Sequence, residues 1–119
     1  MSAYSNAALT AFVKKHLRVT AETMDEEVNG LIASALEDMK MRGIDADASC
    51  PETARTVGDM KPLAVRAVVY YCKANFGIAV DTNESGQYLA RYEGLTQSMS
   101  HAGEYRLAPG TGTADATAP

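Results

Sequence analysis

The chain has 119 residues, 46% of them hydrophobic, and a formal charge of −4 at neutral pH. This suits one globular domain with a modest core, and it excludes an overall basic field that would hold nucleic acid. Cys50 and Cys72 form no CxxC pair and nothing resembling a secretory leader opens the chain. No apolar run nears the roughly 20 residues of a membrane span, so the expectation is a soluble intracellular protein with two free thiols.

Helical periodicity dominates from the start. Leu9, Phe12, Val13 and Leu17 recur on one face and predict a first helix from about Ser5 to Leu17. In "TMDEEVNGLIASALEDMKMRG", Thr23 and Glu26 have capping-box spacing, and Asp25 and Glu27 suit a positive helix start. Val28, Leu31, Ile32, Ala35, Leu36 and Met39 share one face of this second helix, and Gly43 supplies a left-handed stop.

From Ile44 to Asp59 the pattern dissolves, leaving room for a single turn near Pro51 capped by Ser49 and Glu52. The next stretch, "KPLAVRAVVYYCKANFG", predicts a third helix with Asp59 or Lys61 as cap, Pro62 in its first turn and Gly77 at its end. On a wheel of about 100° per residue, Leu63, Ala67, Tyr70 and Ala74 form one face and Val65, Val69 and Phe76 another. Arg66 and Lys73 make a narrow stripe, and Asn75 lies nearly opposite. A helix so apolar is buried on most sides. Two arrangements satisfy it: central burial in a compact bundle, or a surplus face covered by other copies of the chain.

Tyr88, Tyr92, Leu95 and Met99 predict a last helix from about Asn83 to Ser100. After Arg106 the chain reads "LAPGTGTADATAP", which offers little to bury and predicts a flexible tail over 107–119. The expected fold is all-α, a bundle of about four helices within residues 1–106.

No catalytic constellation emerges. His16 and His101 have no partners at metal-ligand spacing, and Cys72 beside Lys73 lacks a partner base. The carboxylates Asp25, Glu26 and Glu27 are explained by the helix start they occupy. "KKHLR", Lys14 to Arg18, invites comparison with a helix–turn–helix reader. The following helix, however, would bring three carboxylates to the DNA, and the intervening loop is long for that motif. A small DNA-binding protein and a cytosolic helical interaction module stay open as alternatives.

The order of "LRV", "DEEVNGLIASALEDM", "PLAVRAVVYYCKANFG" and "YLARYEGLTQSMSHAGEYR" resembles the head–tail connector proteins of tailed bacteriophages and prophages, over about residues 7 to 106. The resemblance implies a structural virion protein, not an enzyme, and no cofactor or metal. Such subunits form a ring, typically dodecameric, between the portal and the stopper or tail-completion protein. The ring extends the DNA channel and completes the head after packaging. Double-stranded DNA would pass without sequence-specific binding, and no membrane is involved. On this reading Val65, Arg66, Val69, Lys73 and Phe76 form the contact between subunits. Arg66 and Lys73 either form a thin solvent stripe on an otherwise buried helix or reach a neighbour's carboxylates, for instance those at the start of its second helix. Leu107 and Pro109 in the tail would dock on the portal or the next ring, the alternative being a passive extension.

Overall fold

Asn6 sets the start of the first helix, α1 (Ala7–Leu17). Its side-chain oxygen accepts the Leu9 N–H at 2.9 Å, and its amide nitrogen donates to the carbonyls of Glu52 and Ala54, both at 2.9 Å. One buried residue thus caps a helix and clamps a distant loop onto it. The computed structural model describes residues 4–18, 22–76 and 82–106. The expected tail, with Leu107 and Pro109, and the expected stop at Gly77 lie outside them.

The second helix, α2 (Asp25–Met41), follows a single 3-10 turn at Glu22–Met24. Its N-cap is Met24, and no side chain caps it. The expected Thr23–Glu26 capping box is therefore not formed. Thr23 already lies inside the 3-10 turn, so it does not take the extended cap geometry that the box requires. Asp25 pairs instead with Lys14 of α1. The inward stripe is as expected: Val28, Ile32, Ala35, Leu36 and Met39 are buried, and Leu31 packs against the core.

The far end of α2 is a Schellman motif. Gly43 takes φ +88°, the Ile44 N–H donates to the Met39 carbonyl at 3.0 Å, and the Gly43 N–H donates to Lys40 at 3.0 Å. Ile44 and Met39, which the motif brings together, are both fully buried.

The single turn in the next loop is α3 (Ala46–Ser49), and its cap is Asp45, which accepts the Ala48 N–H at 3.2 Å. The expected cap residues do other work: Ser49 is buried inside the turn, and the Glu52 carboxylate accepts the Ser5 N–H at 2.9 Å. The Asp45 N–H in turn donates to the Tyr105 carbonyl at 2.7 Å, beside a bridge between Ile44 and Arg106. Residues 101–106 are thereby drawn back onto the exit of α2.

Helix α4 (Pro62–Asn75) runs through the centre, with Lys61 as N-cap and Pro62 in the first turn as expected. It packs against α1, α2 and the last helix, α5 (Thr82–Ser100). Ala64, Val65, Ala67, Val68, Val69, Cys72 and Ala74 are all buried. From α5, Tyr92 and Met99 enter the core with the hydroxyl of Thr96, which returns to the Tyr92 carbonyl at 2.9 Å. Tyrosines join the pair: Tyr71 meets Tyr92 edge-on at 5.3 Å, and Tyr70 stacks near Tyr88 at 6.3 Å. The fold is all-α, and no strand occurs among the described residues.

Gly43→Ala isolates the cost of the left-handed stop, since no atom lies within 4 Å of where a Cβ would stand. Urea unfolding should show a loss of about 1 kcal/mol with an unchanged slope against denaturant.

Candidate functional site

Two clefts flank α4 on opposite sides. The first, about 570 Å³, lies between α1, the segment 57–60 and α4. Phe12 and His16 form one wall, Val57, Gly58 and Met60 another, and Val65, Arg66, Val69, Tyr70 and Lys73 come from α4. Four of the five residues expected at a subunit contact, Val65, Arg66, Val69 and Lys73, therefore border one cavity. Phe76, at the C-cap of α4, does not.

Of the two arrangements open to α4, the structure shows central burial, and the surplus face on which the subunit contact was expected is not left bare. Val65 and Val69 do not stand on an uncovered face; they are 4% and 6% exposed within the single chain. Helix α1 packs on this side of α4, and the turn Val57–Asp59 packs on α1, so the surplus face is covered at close range. What reaches the surface is the cleft. Its cations are placed differently. Arg66 is exposed, whereas Lys73 rests its ammonium 4.9 Å from the centre of the Tyr88 ring. No carboxylate lines this cleft.

The second cleft, about 780 Å³, is bordered by Tyr4, by α2 from Ala33 to Met41, by Asp47 and Glu52, and by Tyr71 of α4. Tyr71 is two positions from both Val69 and Lys73, so at about 100° per residue it projects from the opposite side of α4. Four carboxylates line this flank: Glu37, Asp38, Asp47 and Glu52. Lys40 answers Asp47 at 3.2 Å and Glu37 at 3.7 Å. Arg42 donates to Asp38 at 2.7 Å. The balance is acidic. The Tyr4 hydroxyl is buried here with no partner among the described residues, and burial, reinforced by Cys50 and nearby carboxylates, raises its pKa.

Asp38 is the junction of this flank. The Tyr92 hydroxyl, from α5, donates to it at 2.6 Å, and the Arg42 guanidinium lies 5.4 Å from the Tyr92 ring centre. Partial burial works to raise the Asp38 pKa, but the hydrogen bonds from Tyr92 and Arg42 and the guanidinium charge outweigh it and hold it below the usual carboxylate value. Burial first, and then the Asp38 carboxylate, raise the pKa of Tyr92. Asp38 and Arg42 were legible as an i,i+4 pair; the third partner, 54 residues away, was not.

Other chemistry-bearing residues are accounted for structurally. Cys50 and Cys72 are free and fully buried, and burial pushes both thiols up to about 12, far from thiolate reactivity. His16 packs its ring 4.5 Å from Phe12. Lys14 of "KKHLR" is turned into its pairing with Asp25, and Glu26 and Glu27 are exposed at the end a reading helix would bring to DNA. Among the described residues no cluster of three or more His, Cys, Asp or Glu is arranged to hold a metal ion. None of their helices is long and apolar enough to cross a membrane.

Residues 10–106 match the protein family described as phage connector protein. The match spans all five helices except the first turn of α1, and the clefts on both flanks of α4 fall within it. That match makes the chain a structural phage protein of the connector type. It belongs to the phage connector protein family. Comparison with curated proteins and with solved structures returned no match.

Val69→Asp would bury a carboxylate at a position only 6% exposed, and Arg66 and Lys73, one helical turn away in the same cleft, would offset only part of its desolvation. The cost is several kcal/mol, a large share of the about 5–15 kcal/mol that holds a domain together. The variant should lose its cooperative thermal transition by circular dichroism.

A second outcome follows from Asp38. Its folded pKa is depressed, so its contribution is present above the ordinary carboxylate pKa and lost as pH falls through the lower folded value. Tyr92→Phe removes one cause of the depression. It should cost about 1–2 kcal/mol at pH 7 and shrink the further loss between about pH 5 and 3, read by urea unfolding across that range.

Proposed function

We propose that the chain forms a ring between the portal and the stopper or tail-completion protein of a phage particle, extending the DNA channel and completing the head after packaging. The observation that carries this reading is the family match over residues 10–106, which spans nearly the whole helical fold. Membership implies a virion protein that assembles with other virion proteins. A ring is the closed form of head-to-tail association, in which each subunit offers two different surfaces. The cleft bordered by Val65, Arg66, Val69 and Lys73 is the contact surface in this reading. Its valines form a ready-made apolar floor, and the exposed Arg66 selects an acidic neighbour.

The net charge of −4 per chain supports passage of double-stranded DNA without tight binding. The segment 107–119, with Leu107 and Pro109, serves in the same reading as the docking arm toward the portal or the next ring. The role is structural, with no cofactor or metal required.

The test is mass measurement and electron-microscope imaging of the purified chain, alone and mixed with its portal protein. Closed rings, free or coaxial with the portal, are expected. A strict monomer that also fails to bind the portal would contradict the proposal.

A further inference from the structure

The cleft beside Arg66 raises the question of what fills it, and the opposite flank of the same chain has the matching features. Met41, at the end of α2, is 83% exposed, against 42% for Leu89, the other exposed large apolar side chain among the described residues. Met41 borders the acidic cleft, where among the described residues four carboxylates are answered by Lys40 and Arg42. Across α4, the first cleft is apolar at its floor and carries Arg66 and Lys73 with no carboxylate in its lining. One flank thus offers an apolar knob with excess negative charge. The other offers an apolar socket with positive charge. Tyr71 borders the Met41 flank and Val69 the Arg66 cleft, so α4 separates them.

We infer that, in the ring proposed above, the Met41 flank of one subunit seats in the Arg66 cleft of the next, with Glu37 and Asp47 directed at Arg66 and Lys73. The inference rests on the ring reading and specifies its contact. Two unlike patches on opposite sides are what head-to-tail association requires; a two-fold pair would use one patch twice. A methionine side chain adapts to an irregular socket, which suits a contact made only on assembly. The charges set orientation and register more than affinity. The start of α2 is a poorer partner for Arg66. Glu26 and Glu27 are exposed there, but among the described residues no large apolar side chain is exposed beside them to enter the socket.

Two exposed positions allow a test without disturbing the core: Met41→Asp on the knob and Arg66→Glu on the socket. Both variants should keep the thermal transition of the unchanged chain by circular dichroism. Assembly is then read by native mass spectrometry and imaging with the portal protein as template, at a concentration where the unchanged chain forms rings. Each variant alone should lower the ring population at least tenfold. An equimolar mixture should give one-to-one pairs but no rings, because the Met41→Asp chain keeps an intact socket and the Arg66→Glu chain an intact knob. Rings formed normally by both variants, or blocked variants that fail to pair when mixed, would overturn this contact while leaving the ring reading in place. If the unchanged chain forms no ring even on the portal, both readings fall together.

Discussion

Everything in this fold is arranged around the burial of α4. A helix with Val65, Val68, Val69 and Cys72 on one side and Ala64, Ala67 and Ala74 on others cannot rest on a surface; it needs partners on nearly every side. In a short chain those partners must be gathered from three helices and a loop. α5 and α2 take two sides, and α1 takes the third. The small residues let neighbours come close, and the tyrosines reach across to close the seams, Tyr71 against Tyr92 and Tyr70 against Tyr88. The clamps at the periphery serve the same end. Asn6 holds loop 51–54 to α1, Lys61 donates to the Glu104 carbonyl, and Asp45 binds Tyr105, so the segments covering α4 are tied to one another.

That arrangement leaves the chain able to stand alone yet equipped to associate. The valines that looked surplus are already sheltered, and only a cleft with a positive rim interrupts the surface above them. On the far side, the exposed end of α2 carries Met41 among carboxylates. In the proposed ring such a subunit would fold first and assemble afterward, since its core is complete within one chain.

Much of the framework was legible from periodicity and local chemistry. The stripe from Val28 to Met39 predicts which side of α2 is buried, Gly43 predicts its stop, and Pro62 predicts where α4 begins. Met41 is two positions from Met39, so the same wheel places it outward. What could not be read depends on distant partners. Nothing near Asn6 announces that it will clamp Glu52 and Ala54, and nothing near Asp38 announces Tyr92. The Thr23–Glu26 spacing suggested a box that the 3-10 entry displaced. The choice between central burial and a surplus face at Val65 and Val69 stayed open in the sequence for a related reason. Their coverage comes partly from the segment around Val57 and Met60, which has no periodic pattern and looks like a plain loop in sequence.

The central claim, that one chain buries α4 by itself and associates only through the rims of its two clefts, is tested most directly by amide hydrogen exchange before and after assembly. In the free chain, the amides from Val65 to Ala74 should exchange only through global unfolding, as slowly as any in the protein. Assembly should then add protection around Met41 and around the cleft-lining turn at Val57–Asp59, while α4 itself changes little. Rapid exchange along α4 in the free chain, with protection appearing only in the ring, would contradict the account and show that neighbouring copies complete the core.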